Sequence, residues 1–202
     1  MIVISAKTFQ RLKEEYGHLA SWAIWIAPAD TPKSNTGDLT IFQQTNVHTI
    51  LNNQYVFVGL NVSSTHGKAG INEKYYWSNF HSAYAYQNDY KLRYALTNTR
   101  FWGSYMTDII KKYPEVASSK VKSFLQNNPQ VVQRNIKEFK VEMRLLNAKT
   151  RPVLIAMGDL TYQILNKWVA DDFKIVKIMH YANRIGKEAY RKHVLAVLGN
   201  LS

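Results

Sequence analysis

Two polar residues at the ends of apolar runs have the types and positions for chemistry. The first is Asn61, which closes Tyr55-Val-Phe-Val-Gly-Leu-Asn61, where aromatic and β-branched residues alternate up to Gly59. The second is His180, far down the chain, which closes Ile175-Val-Lys-Ile-Met-His180. Both runs read as buried parallel strands that deliver one polar side chain to the rim of a sheet. Ligands of open α/β sheets bind just outside the carboxyl ends of the strands, so the pair is expected on opposite sides of one pocket. An asparagine can position a water without being a strong base. A neutral histidine can donate a hydrogen bond to a developing anion, as an oxyanion donor does. Each also has a plainer reading, Asn61 as a turn residue after Gly59 and His180 as a strand-end histidine with a local partner.

The elements that must position these residues are legible from periodicity. Strands are expected at Trp22–Ala27, Tyr55–Gly59, Gly103–Ile110, Pro152–Met157 and Phe173–Met179. Helices are expected at Ala6–Tyr16, Thr45–Leu51, Ala83–Leu96 and Leu160–Val169, the last capped by Asp159, and at Lys187–Leu198. Ser118–Asn147 is helical too, with an interruption at Asn127-Asn-Pro129. This alternation predicts an α/β three-layer sandwich, with a central, mostly parallel sheet of four to five strands and helices on both faces. No repeat or long linker divides the chain, and a single domain over residues 1–202 is expected.

The composition narrows the chemistry. With 46% hydrophobic and 13% aromatic residues among 202, the chain can bury a sizeable core. The absence of cysteine excludes disulfides, a thiolate nucleophile, a cysteine-ligated zinc and a conventional iron–sulfur cluster. The six histidines are scattered, so no metal set and no cofactor is expected. No apolar run approaches the ~20 residues that cross a bilayer. The start Met1-Ile-Val-Ile-Ser-Ala-Lys7 lacks signal-peptide features, and a cytoplasmic monomer is expected. Lys plus Arg number 26 against 14 Asp plus Glu, a formal charge of +12, which points to a polyanionic partner, most simply nucleic acid.

Four segments in order carry a family resemblance. Gly59-Leu-Asn-Val-Ser63 looks like the first motif of the uracil-DNA glycosylase superfamily, nearest its mismatch-specific and single-strand-selective branches, where the pattern is Gly-Ile/Met-Asn-Pro-Gly. His180-Tyr-Ala-Asn-Arg184 stands where the second motif has His-Pro-Ser-Pro followed by Leu or Arg. Tyr105-Met-Thr-Asp-Ile-Ile-Lys111 is similar to the middle strand that reads the base, often Tyr-Ile-Thr-Asn-Val-Val-Lys. Pro152 to Leu165 resembles the strand–glycine–helix unit before the second motif. The match spans residues 55 to 198.

The resemblance implies hydrolysis of the N-glycosidic bond of a flipped-out pyrimidine-type base in double- or single-stranded DNA, leaving an abasic site. Carried over by position, Asn61 would place the water and His180 would bond the pyrimidine O2. Phe80, Trp77 and Tyr76 are the aromatics expected to cover the base, with Phe80 first. Gly59 belongs to the base-binding set, and Ser63, Ser64, Arg184, Ile185, Lys187 and Arg191 to the DNA-contacting set. Three departures stand out. Tyr181-Ala182 replaces Pro-Ser, and Val62 replaces the proline of the first motif. Asp108 stands where an asparagine commonly recognises uracil. An ionised aspartate only accepts hydrogen bonds and would repel O4, whereas cytosine offers an N4 donor and an N3 acceptor that suits a protonated acid. This points toward cytosine, including a bulky modified cytosine of foreign phage DNA, with residues 64–72 leaving room for it. The alternative is Asp108 as a helix cap or lysine partner with uracil still read through the main chain, and the resemblance leaves open DNA repair or defence against modified foreign DNA. A catalytically silent nucleic-acid-binding protein of the same fold is the rival to an enzyme.

Overall fold

The computed structural model describes residues 4–62, 75–84, 87–111, 113, 115, 117–147 and 150–201. In chain order its main elements are α1 (Ala6–Tyr16), β1 (Ser21–Trp22), β2 (Asn52–Asn61), α2 (Asp89–Leu96) and β3 (Ser104–Ile110). They continue with α3 (Ser118–Asn127), α4 (Pro129–Leu146), β4 (Val153–Met157), α5 (Asp159–Val169), β5 (Ile175–Ile178) and α6 (Lys187–Leu198). The strands make one five-stranded sheet in the order β1-β3-β2-β4-β5. β1 runs antiparallel to β3, and the other neighbours are parallel. The expected three-layer α/β sandwich is the observed architecture.

Strict alternation builds the two outer layers. Val56, Val58, Tyr105, Leu154 and Ala156 face a core shared with α1, α3, α4 and α5. Phe57, Met106, Ile155 and Met157 face the opposite core, shared with α2 and α6. Strands buried on both faces must be apolar on both, which is why β2 to β4 read as near-continuous hydrophobic runs. β2 is central, and the chain leaves it toward β3 on one side and returns to β4 on the other. Its carboxyl end is therefore the point where connections diverge, the usual place for a ligand crevice in such sheets.

Several expected boundaries shift for physical reasons. The first strand pairs over only Ser21 and Trp22, because it lies at the sheet edge with a single neighbour. Helix α2 starts at Asp89 instead of Ala83, since the chain before it is held in a turn by bonds described below. The expected helix at Thr45–Leu51 is a short 3₁₀ turn, Val47–Ile50. Asp159 is the first residue of α5, and Gly158 occupies the cap with φ +96°. No helix among the described residues is long and apolar enough to cross a membrane.

Candidate active site

A cavity of about 730 Å³ opens at the carboxyl ends of the parallel strands, with Asn61, Phe80, Asp108 and His180 on its walls. These residues come from four separate places in the chain, and the sheet brings them together.

His180 follows β5 in a tight turn. Ala182 N–H donates to its Nδ1 at 3.1 Å, and Asn183 N–H to its carbonyl oxygen at 3.0 Å. A nitrogen that accepts an N–H carries no proton, so the neutral ring holds its proton on Nε2, the nitrogen left for a ligand. Burial pulls its pKa down to about 4, which keeps the imidazole neutral across the physiological range. Tyr181 stacks on the ring at 4.4 Å with planes 23° apart. On its other side lies the Gly158 turn, where a Cβ would sit 3.5 Å from His180 Cβ and where the positive φ suits glycine.

Asn61 ends β2. Its side-chain nitrogen is surrounded by the carbonyl oxygens of Val62 (3.1 Å), Tyr113 (2.9 Å) and Glu115 (2.8 Å). Three acceptors around one atom fix it as the amide nitrogen. No described residue donates to Oδ1, the atom left to hold a water.

Asp108 lies on β3 directly across from Gly59. It is 3% exposed, and Asn79 Nδ2 donates to its Oδ2 at 2.8 Å. A Cβ at position 59 would stand 2.2 Å from Asp108 Oδ1 and 3.4 Å from a Phe80 ring carbon. Gly59 is thus the vacancy that lets the carboxyl and the phenyl ring approach the sheet. Burial raises the pKa of Asp108 to about 6; the Asn79 bond and nearby Lys111 lower it, while Glu142 and Asp89 push it up. The acid and its conjugate base are both accessible near neutrality.

Phe80 sits in a strained turn. It and Trp77 have φ of +62° and +66°, values that cost a non-glycine residue on the order of 1 kcal/mol or more. The surrounding bonds over-determine the turn. Trp77 N–H donates to Gly17 O at 2.6 Å, Ser21 Oγ to Trp77 O at 2.8 Å, and Asn79 Nδ2 to Leu19 O at 2.9 Å. Trp25 Nε1 donates to Phe80 O at 3.3 Å, and the Phe80 ring meets Tyr181 edge-on at 6.5 Å. Held strain at the wall of a cavity is a mark of pre-organisation.

Two of the three aromatic candidates are placed elsewhere. Trp77 is 1% exposed and packs on the α1 side of the sheet against Phe9 (5.5 Å) and Trp22 (6.0 Å). Tyr76 is exposed, lies on His18 at 4.3 Å and has Lys13 over its face. Neither lines the cavity. Arg184 is exposed on the turn after His180, whereas Ile185 packs into the core beneath α6. Lys187 pairs with Glu188 and lies over the Tyr94 ring. Arg191 Nη1 donates to the carbonyls of Tyr94, Ala95 and Thr97, so its guanidinium closes the end of α2. Ser63, Ser64 and the stretch 65–72 lie outside the described residues.

Sequence reasoning missed three contributors: Asn79, which orients Asp108; Tyr181, which supports His180; and Asp89, a buried acid whose carboxylate accepts the Ser82 N–H at 2.7 Å. The helix expected at Ala83–Leu96 placed Asp89 in its interior, so its position in the first turn was not legible. Comparison of the chain with protein-family models, with curated proteins and with solved structures finds no match.

Proposed function

We propose that this chain is a monofunctional DNA glycosylase that hydrolyses the N-glycosidic bond of a flipped-out pyrimidine-type base. The observation that carries this reading is His180, a neutral imidazole with its proton on Nε2, sharing one cavity with an asparagine whose oxygen accepts from no described residue. The base enters the cavity and lies against Phe80. As the bond from the sugar carbon to the base nitrogen breaks, its electron pair stays on the base, and Nε2–H of His180 stabilises the negative charge on the base oxygen. A water held by Asn61 Oδ1 adds to the sugar carbon and loses a proton to solvent, leaving an abasic site. The net charge of +12 suits a polyanionic substrate.

Asp108 supports a cytosine-type base. With a pKa near 6 its carboxyl takes up a proton readily once a base excludes water, and it then donates to N3 while accepting from the N4 amino group. Asn79 has both ends engaged, Nδ2 with Leu19 O and Asp108 and Oδ1 with the Phe80 N–H, so Asp108 is the group left to read the base edge. A cavity of about 730 Å³ has space beyond a plain pyrimidine ring, in keeping with a modified cytosine and with attack on foreign DNA.

The test is a panel of DNAs carrying uracil, cytosine or modified cytosines, scored for abasic sites by alkaline cleavage. Cleavage is expected at a cytosine-type base and should fall by about 10²–10³-fold in His180→Ala, the cost of removing one such donor. Asn61→Ala should abolish it as well. Cleavage at uracil alone would place the enzyme in repair and overturn the role given to Asp108. Tight DNA binding without cleavage of any base would favour the silent binder.

A further inference from the structure

A neutral carboxyl group does not by itself choose between cytosine and uracil. With the proton on one oxygen it matches cytosine, whose N3 accepts and whose N4 amino group donates. With the proton on the other oxygen it matches uracil, whose N3–H donates and whose O4 accepts. The choice for Asp108 falls to the neighbour that fixes which oxygen carries the proton.

That neighbour is Asn79. Its Nδ2 donates to Leu19 O at 2.9 Å and to Asp108 Oδ2 at 2.8 Å, and its Oδ1 accepts the Phe80 N–H at 3.1 Å. Two acceptors at the nitrogen and one donor at the oxygen leave the amide a single orientation. Both N–H groups are then spent, and Asp108 Oδ2 is held as an acceptor. The carbonyl oxygen of a carboxylic acid is the better acceptor, so the proton of neutral Asp108 goes to Oδ1.

The two oxygens also lie toward opposite neighbours of β3. Oδ2 meets Asn79, whose other N–H reaches Leu19 O, two residues before β1. Oδ1 lies over Gly59 of β2, 2.2 Å from where a Cβ would stand. The strand order is β1-β3-β2-β4-β5, with Asp108 on β3 and His180 just after β5. Oδ1 is therefore on the His180 side and Oδ2 on the far side. The pairing edge of a pyrimidine runs from O2 through N3 to the 4-position, so with O2 at His180 the N3 atom meets Oδ1 and the 4-substituent meets Oδ2. Cytosine fits: Oδ1–H donates to N3, and the N4 amino group donates to Oδ2. Uracil does not, because its O4 faces an oxygen held as an acceptor and its N3–H faces another N–H-like donor at Oδ1. Ionising Asp108 does not relax the choice, since both oxygens then accept and O4 is still refused.

We propose that Asn79 is a specificity-determining residue: by holding Asp108 Oδ2 as an acceptor it admits a cytosine-type base and excludes uracil. The inference rests on the reading of Asp108 as the group that meets the base edge and of His180 as the donor to O2.

The experiment compares the wild type with Asn79→Ala, Asp108→Asn and the double variant. One readout is the ratio of single-turnover cleavage rates at a cytosine-type base and at uracil. The other is the ratio of affinities for DNA carrying 2′-fluoro-2′-deoxycytidine or 2′-fluoro-2′-deoxyuridine, whose glycosidic bonds resist hydrolysis. Loss of folded protein lowers both members of a ratio and cancels. Asn79→Ala should move both ratios toward uracil by about 10–100-fold, the cost of setting a buried polar atom against the wrong partner. Asp108→Asn should keep the cytosine preference, because Asn79 holds the new carbonyl at the Oδ2 place and leaves the amide N–H facing N3. The double variant should accept uracil, since its amide is free to turn over. A switch to uracil in Asp108→Asn alone, or wild-type ratios in folded Asn79→Ala, would overturn the proposal while leaving the glycosylase reading intact. Asp108→Asn keeps the Asn79 turn, so it decides the matter even if Asn79→Ala does not fold. If the wild-type protein cleaves no DNA, the glycosylase reading fails by itself, and equal wild-type affinity for the two fluorinated bases then overturns the role of Asn79 separately.

Discussion

The two faces of β3 bury carboxylates in opposite ways. Toward α4, Glu142 has a cation: Lys111 Nζ lies 2.8 Å from its Oε2, and Tyr105 OH and Thr107 Oγ1 donate to its Oε1 at 3.0 and 2.9 Å. Both side chains of that ion pair are fully buried. Toward α2 and α6, Asp108 and Asp89 accept from neutral donors among the described residues, Asn79 and Ser82, and burial raises both pKa values to about 6. β3 is thus flanked by an ion-paired network on one face and, on the other, by its own Asp108 and the α2 residue Asp89, which accept from neutral donors. Buried charges without a cation are costly, and they persist where a ligand or a reaction uses them. The contrast supports the proposed site on the α2 side of the sheet.

The largest effect is expected at the buried ion pair. Lys111→Met leaves Glu142 buried without its cation and should destabilise the fold by about 3–5 kcal/mol, measured by urea unfolding. Adding Glu142→Gln should recover much of that loss, because the amide oxygen can still accept from Tyr105 and Thr107. Equal destabilisation in the single and double variants would mean that the pair is not the unit that the geometry implies.

Asp108→Asn should move stability the other way. The folded-state pKa of Asp108, about 6, lies above the ordinary 3.8. Whatever the acid contributes is therefore fully present below about pH 4 and lost as pH rises through 6. At pH 8 the buried ionised carboxylate weakens the fold by on the order of 3 kcal/mol, so the asparagine variant should be more stable there and converge with the wild type near pH 4. Unfolding free energy measured at both pH values checks the sign. Activity adds a second reading of the same group. If neutral Asp108 reads a cytosine-type base, cleavage should rise through about pH 4 as His180 becomes neutral and fall above about 6. A rate that instead climbs through 6 and stays high would assign the ionised form to the base.

Gly59→Ala probes the geometry of the same face. A Cβ at 2.2 Å from Asp108 Oδ1 forces the carboxyl aside, at about 1–3 kcal/mol of overpacking. Cleavage should fall by more than the loss of stability explains, and Gly59→Ala with Asp108→Ala should recover stability without recovering activity. Thermal unfolding and single-turnover rates on both variants separate the two effects.

How far the sequence foretold this arrangement depends on whether the signal was local. Helices α1 and α6 lie at the expected residues because their caps and apolar spacing are contiguous, and Pro129 marks the break between α3 and α4. Asn61, Asp108 and His180 share a cavity because strand ends are readable and parallel sheets align them. What stayed hidden is carried by pairs distant in sequence. Asn79 meets Asp108 across 29 residues, and Lys91 meets Asn183 across 92. No periodicity encodes such a meeting. Trp77 and Phe80 illustrate the same limit. Both are aromatic and close in sequence, yet left-handed backbone at each turns one into the α1-side core and the other toward the cavity.

The smallest effect on stability is expected at the rim, where the contrast between the two faces fades. Lys177 and Asp159 line the same cavity as Asp108 and approach to 2.7 Å, but their side chains are 48% and 79% exposed. Water screens an exposed pair, so Lys177→Met should leave the unfolding midpoint unchanged within error. The same substitution removes a cation from the entrance through which a phosphate backbone would approach. Each phosphate neutralised contributes a slope of about −0.9 to the dependence of log affinity on log salt for duplex DNA. If Lys177 makes such a contact, the slope should become shallower by about that amount while cleavage at saturating enzyme stays at the wild-type rate. An unchanged slope would confine Lys177 to its bond with Asp159 and move the phosphate-binding face away from the ends of β4 and β5.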